Sequence, residues 1–517
     1  MDRRSLIKSA LAGLLGAATA PAARALAEAA EAPAEPFDFE RLAAKAEAAS
    51  RRPYARPLMD LAEPFADLTY DQMRAIRYRP EKLFWGGEDD AWAMDLMPPG
   101  FYFDEKIAVH LVRGGEARAI PFSTDFFHFH PTYFPYPDGT APAGLAEDHG
   151  FTGVRFRHPL NRPGVWDEVA VFQGASYFRA VARDTFYGLS ARGLAIGTGE
   201  AGPEEFPLFT AFWIEEPAPG AERLRLWTLL DGPSVAGAYQ LTIRPGAETV
   251  MDIRLALYPR REIGNAGVAP LTSMYFFGPE RRAGWDDFRD AVHDSDGLSI
   301  VNGAGETIWR PLTNPATLQY SAFQDENPRR FGLMQRPRDF AQYQDAEARY
   351  EMRPSAWVEP AGDWGRGSVD LVEIPTRDEF ADNIVAYWRP AEPLAAGRRH
   401  DFAYRLTWAP ADAPGPLARV VATRGGGSIL DARERVFVID FDLGPMPFEG
   451  LEPRLAVSEG EIAGSVGLSL TPEGLARVGF HYLPADATAA EFRLELVGPE
   501  GRASELWLYR WTAHEAA

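Results

Sequence analysis

Two acid-bearing turns are the parts of this chain best equipped for chemistry. The first, Val292-His293-Asp294-Ser295-Asp296-Gly297-Leu298, sets two carboxylates and an imidazole between apolar strands. The second, Asp382-Asn383, stands directly before the apolar run 384–388. Cleavage of a glycosidic bond needs two carboxyls across a cleft: one protonated to serve the leaving oxygen, the other ionised as base or nucleophile. Both turns also admit a plain structural role, because Asp and Asn side chains cap backbone N–H groups at turns and strand starts. Spacing along the chain does not show whether the two turns meet.

Around the second turn, the stretch 343–388 gathers three Trp, three Tyr, Arg353 and several carboxylates. Aromatic faces beside carboxylates and an Arg suit a polyhydroxylated ligand, whose C–H faces pack on rings while its hydroxyls take directional hydrogen bonds. The expected ligand contacts are Tyr343, Tyr350, Arg353, Trp357, Trp364 and Glu379. Each aromatic is equally at home in a sandwich core.

Other chemistries find no support. The chain has no phosphate-binding P-loop, no dinucleotide fingerprint, no His-Glu-x-x-His and no Gly-x-Ser-x-Gly. It has 9 His, and the pair His128-Phe129-His130 has no visible third ligand for a metal. There is no Cys, which removes disulfides, thiolate metal sites and thiol nucleophiles. No cofactor is expected. A formal net charge of -21 disfavours nucleic acid or an anionic membrane surface as partner.

The elements that must position these turns read as β structure. At 517 residues, with 46% hydrophobic and 12% aromatic side chains, the chain exceeds one usual core and predicts at least two domains. Residues 1–27 carry Arg3-Arg4, an apolar run over 10–20 and Ala25-Leu26-Ala27, the layout of a cleaved export signal resembling the twin-arginine type. That run is well short of the roughly 20 residues needed to span a bilayer, so no membrane span is expected after its removal. Residues 28–36 read as a flexible leader. Phe39, Leu42, Ala43 and Ala46 then keep helical spacing until Pro53, and a second short helix is expected over 69–76. Beyond Trp85, short apolar runs at 106–112, 169–172, 224–230, 239–243 and 250–258, punctuated by Gly and Pro, predict a large antiparallel sandwich over 37–409. Two Gly-rich corners, 174–179 and 187–194, read either as tight turns or as ligand contacts. The Pro-rich segment 410–417 is the expected linker. Runs at 436–441, 451–457, 463–470, 476–482, 491–497 and 506–511 predict an immunoglobulin-like sandwich over 418–515.

Taken in order, Gly174-Ala-Ser-Tyr-Phe-Arg179, Tyr187-Gly-Leu-Ser-Ala-Arg192, Glu205-Phe-Pro, His293-Asp-Ser-Asp296, Trp309-Arg-Pro, Phe331-Gly-Leu, Arg353-Pro-Ser, Trp357-Val-Glu-Pro, Glu373-Ile-Pro-Thr and Asp382-Asn-Ile-Val resemble the periplasmic glucan biosynthesis proteins of the OpgG/OpgD (MdoG/MdoD) family. The resemblance covers nearly the whole chain after the leader, and the twin-arginine-like leader is more like the D branch. It implies a periplasmic protein with a galactose mutarotase-like N-terminal β-sandwich, an immunoglobulin-like C-terminal sandwich and a long cleft for β-1,2-glucan. It implies an inverting endo-β-1,2-glucanase or a transglycosylase, with Asp382 as general acid and Asp294 as base, Asp296 being the alternative, and with Tyr350 lining the proton path.

One departure stands out. D-type relatives carry a long loop over the cleft after the segment that matches Ala422-Thr-Arg424, whereas here 425–435 runs almost directly into the next strand. A shortened lid keeps a rival reading open: a non-catalytic glucan-binding or assembly factor working with a membrane glucan synthase.

Overall fold

The computed structural model describes residues 33–513, apart from positions 88, 143, 147, 281, 283, 413 and 414. The export signal and most of the leader lie outside the described residues. Among those residues the chain is an all-β sandwich with little helix. Helix Phe39–Ser50 forms where the spacing predicts it. Asp38 caps it by accepting the Arg41 N–H at 2.8 Å, and its buried stripe is Phe39, Leu42, Ala43, Ala46 and Ala49. Helix Tyr70–Ala75 begins with a capping box between Thr69 and Gln72. Among the described residues no helix is long and apolar enough to cross a membrane.

Two sheets face each other across the main core. The larger runs through Leu208–Glu215, Leu224–Asp231, Val235–Arg244, Thr249–Pro259, His400–Ala409, Ser355–Pro360, Arg330–Met334, Gly297–Val301 and Thr307–Pro311. The smaller runs through Gln319–Glu326, Arg366–Glu373, Ile384–Pro390, Ala266–Ser273, Ser190–Arg192, Tyr177–Ala180, Asp167–Gln173 and Gly153–His158. Their inward side chains interdigitate: Phe172 stacks on Phe178 at 5.1 Å and meets Phe212 of the larger sheet edge-on at 5.7 Å. The larger sheet is covered on its outer face by the first helix, which packs on Trp213, Trp227, Ala236 and Ala238. The end of the leader is held in place. Glu35 and Pro36 pair with Ala117 and Glu116 as an edge strand, and the Phe37 N–H donates to the Gly115 carbonyl at 2.8 Å. The stacking of Phe37 on Trp213 at 5.0 Å holds that segment down.

The C-terminal strands close a second core around Phe437, Phe480, Phe492, Trp507 and Tyr509. Strand Ala476–Leu483 illustrates why: Ala476, Val478, Phe480 and Tyr482 are buried and the residues between them are not, the period-two pattern of a half-buried strand. The linker separates the segments in sequence but not in hydrogen bonding. Leu506–Thr512 pairs in parallel with Thr307–Pro311, so the larger sheet runs on into the C-terminal sandwich. A buried cluster seals the join: Arg336 donates two bonds to Glu505, both at 2.8 Å, lies 3.4 Å from Asp412, and rests 3.6 Å above the Trp309 ring. The hairpin between Arg419–Gly427 and Arg435–Asp442 is short, and the Ser428 N–H to Glu434 carbonyl bond of 3.0 Å closes it.

Candidate functional site

Antiparallel neighbours place the end of one strand beside the start of the next, and four strands of the smaller sheet use this to bring the two turns to one edge. Ser273 pairs with Ile384, Ser190 with Thr272, and Tyr177 with Arg192. Asp382, Met274, Ser190 and Arg179 therefore meet at that edge. The Asp294 N–H donates to the Met274 carbonyl at 2.9 Å, which hangs the His293–Asp296 turn from the same place.

Within Asp382-Asn383 the capping role falls to Asn383. Its Oδ1 accepts the Tyr275 N–H at 2.8 Å, and its Nδ2 donates to the carbonyls of Tyr275 at 2.9 Å and Ile374 at 3.0 Å. Asp382 is left free of that duty. Its side chain is 33% exposed and lies 3.8 Å from Arg179 Nη2, and Arg179 is itself steadied by Nε donating to Ser190 Oγ at 2.6 Å.

The first turn divides in the same way. His293 is buried, stacked on Tyr275 at 5.2 Å and edge-on to Tyr343 at 5.2 Å. Gln335 Nε2 donates to the carbonyls of His293 at 2.7 Å and Tyr350 at 3.1 Å, so its Oε1 must accept from His293 Nδ1 at 2.8 Å. That bond fixes the tautomer, and burial pulls the imidazole down to about 4, which keeps it neutral. Asp296 turns to the domain join: its Oδ1 accepts the Arg336 N–H at 2.9 Å, and its own N–H donates to Met334 at 2.7 Å. Asp294 turns instead toward Arg353. Its Oδ1 has no hydrogen-bond partner among the described residues and lies 3.5 Å from Arg353 Nε, which has none either. Burial pushes the Asp294 carboxyl up to about 6; the Arg353 guanidinium pulls it down and the charge of Asp382 adds to the rise. Burial also pushes Asp296 up to about 6, against the Arg336 N–H and guanidinium.

Tyr350 is 4% exposed and its ring is core beside Tyr343, so it joins the site through its hydroxyl alone, together with Glu379. The Tyr350 hydroxyl donates to Glu379 Oε2 at 3.1 Å, and burial with the charges of Glu379 and Asp294 holds the phenol well above its ordinary value, hence protonated. Glu379 is anchored by Arg289 Nη1 at 2.7 Å. Arg353 lies with its guanidinium carbon 5.5 Å from the Tyr350 ring centre and donates to the Tyr187 carbonyl. Gly188 packs closely on this residue, since a Cβ there would sit 3.1 Å from Arg353 Cβ and press on it.

The remaining aromatics expected as ligand contacts are core. Tyr343 is fully buried behind Tyr350, at 5.9 Å between ring centres. Trp357 is 5% exposed and packs with Trp309 and Met334 against the C-terminal core. Trp364 is 7% exposed, among Trp388, Phe402 and Tyr404, with its indole N–H on the Ala403 carbonyl at 3.2 Å. Two buried Trp cannot offer a face to a ligand, and the structure does not bring them to Asp294. It brings instead Arg179 and Tyr177 from the first Gly-rich corner. Arg192 of the second lies 4.8 Å from the Tyr177 ring centre and is paired with Glu204 at 2.5 Å. The repeated aromatic and Arg content of those corners was the available signal.

The sequence model of the family described as "Periplasmic glucan biosynthesis protein, MdoG" matches residues 37–511. The chain is similar to "Glucans biosynthesis protein G" of Rhodopseudomonas palustris (strain BisA53), 46% identical over 488 residues, 93% of this chain and 95% of the relative. It is 44% identical over 480 residues to the protein of that name from Vibrio cholerae serotype O1, 92% of this chain and 87% of the relative. That from Bradyrhizobium diazoefficiens is 43% identical over 517 residues, 99% of this chain and 100% of the relative. All three carry the G designation; the leader that resembles the D branch lies outside the described residues.

Proposed function

This chain belongs to the periplasmic glucan biosynthesis (MdoG) family, and on that premise we propose that it acts in the periplasm on β-1,2-glucan, cleaving or transferring glycosidic bonds between Asp382 and Asp294. The observation that carries this reading is Asp294: a buried carboxylate of raised proton affinity, 3.5 Å from Arg353 and hung from the sheet edge that also carries Asp382. A buried carboxylate whose proton affinity is raised by burial and set by one charged neighbour is the kind of group that acid–base sites use.

In the proposed reaction Asp382 enters protonated in the glucan complex and gives that proton to the glycosidic oxygen as the bond to the anomeric carbon breaks. A water on the opposite side attacks that carbon and gives its proton to Asp294, and the configuration inverts. A group near 6 is ionised at neutral pH yet basic enough to take a proton in the transition state. Tyr350, held protonated against Glu379, orders the water between them. Arg353 steadies the Asp294 charge and Arg179 contacts Asp382. Asp296 is the weaker candidate base because its carboxylate is already engaged by the Arg336 N–H at the domain join.

The short connection 428–434 favours a second reading, a glucan-binding or assembly factor partnered with a membrane synthase, because a cleft without a covering loop excludes water poorly. Incubation with linear β-1,2-glucan, followed by mass spectrometry and polarimetry, separates the two. Shorter or re-joined chains with inverted anomers support the enzyme; saturable binding with unchanged chains supports the factor; neither binding nor turnover would sink both.

A further inference from the structure

We propose that Phe288 and Phe380 form a stacking platform for glucose rings at the rim of the Asp294–Asp382 cleft, beyond the bond-cleaving position; this rests on the glucan reading above. Phe380 is 90% exposed and Phe288 75% exposed. A lone exposed Phe needs no explanation, but these two are presented by matching devices. Asp287 Oδ1 accepts the Arg289 N–H at 2.9 Å around Phe288, and Asp378 Oδ1 accepts the Phe380 N–H at 2.9 Å. Each is an Asx-type turn that fixes the backbone carrying the ring.

The two turns are also fastened together. Arg289 Nη1 donates to Glu379 Oε2 at 2.7 Å and to Asp345 Oδ2 at 2.8 Å, so the residue after Phe288 is ion-paired with the residue before Phe380. The same Glu379 oxygen accepts the Tyr350 hydroxyl, and Tyr350 lies beside Arg353 and thus Asp294. Phe380 is two residues from Asp382. The platform therefore begins where the acid pair ends.

The chemistry favours one occupant. Arg289 lies 5.7 Å from the Phe288 ring centre, but its charge is met by Asp287, Asp345 and Glu379, and with Asp378 the acids beside the two rings outnumber it, which disfavours anionic lipid or nucleic acid. Two separate rings are too small a patch for a stable protein partner. A neutral pyranose stacks its C–H face on such a ring and loses little entropy in doing so, because the backbone is already fixed.

Isothermal titration calorimetry with linear β-1,2-glucans of increasing length tests this, using the wild-type chain, Phe380→Ala, Phe288→Ala and Phe380→Tyr. Each Ala variant should weaken binding of long chains by roughly tenfold, bind short oligosaccharides as the wild type does, and, where turnover is measured, raise KM more than it lowers kcat. Phe380→Tyr should restore affinity. A wild type that binds glucan while both Ala variants match it at every length overturns the platform and leaves the functional reading standing. A wild type that binds no glucan at any length overturns both.

Discussion

Removing the Arg353 charge should move the acid limb of the pH–rate profile upward. Arg353 Nε stands 3.5 Å from Asp294 Oδ1, and its guanidinium opposes the burial that lifts that carboxyl to about 6. An opposite charge at this range is worth about 1–3 pKa units, or about 1.4–4 kcal/mol between the two protonation states. In Arg353→Met the carboxyl should therefore titrate at about 7 to 9, with 8 as the midpoint. A base must be ionised to work. At pH 7 a group of pKa about 6 is roughly 90% ionised, and one of pKa about 8 is roughly 10% ionised, so kcat should fall by about tenfold. The loss should shrink as pH rises toward 8.5, and Arg353→Lys should recover most of the wild-type profile. The assay is kcat for reducing-end release between pH 4.5 and 9. An acid limb that stays in place, or a loss equal at every pH, would refute Asp294 as the base tuned by Arg353.

Three further outcomes follow from the same geometry. Asp294→Asn should stabilise the fold by about 3 kcal/mol at pH 7. The folded carboxyl's pKa is raised above its unfolded value, so the wild type is penalised above about pH 6 and the gain should vanish toward pH 4; a melting temperature unchanged or lowered at pH 7 contradicts this. Gly188→Ala puts a methyl 3.1 Å from Arg353 Cβ and 3.4 Å from its Cδ. It should displace the guanidinium and lower kcat/KM about tenfold with stability lost by only ~1 kcal/mol, and wild-type kinetics would show that Arg353 is not positioned from this side. Asn383→Ala strips three bonds from Tyr275 and Ile374 and should cost about 2–4 kcal/mol in denaturant titration, while a loss under 1 kcal/mol would mean that water replaces the amide.

Much of this was legible before any coordinates. Period-two runs such as 476–482 become strands because alternation in a half-buried sheet has one solution. The apolar spacing of Phe39, Leu42, Ala43 and Ala46 announced the first helix in the same way. Tryptophan was the misleading signal. Trp357 and Trp364 lie in the stretch that looks most suited to sugar, yet sit at inward-facing positions, because a large ring serves a core and a ligand by the same physics. Nor could the sequence separate Asp294 from Asp296, two residues apart with the same burial. What separates them is Arg336, brought from 40 residues away and held by Glu505 of the C-terminal sandwich. The pairing of Arg289 with Glu379, 90 residues on, is long-range in the same sense. The division within Asp382-Asn383 likewise appears only once the Tyr275 backbone is in place beside it.

The most direct test of the central claim is reducing-end release from linear β-1,2-glucan by the wild-type chain and by Asp382→Asn, at matched folding and matched glucan affinity. The account predicts turnover by the wild type and a loss of at least about a hundredfold in the variant. Equal turnover by the two proteins would contradict it.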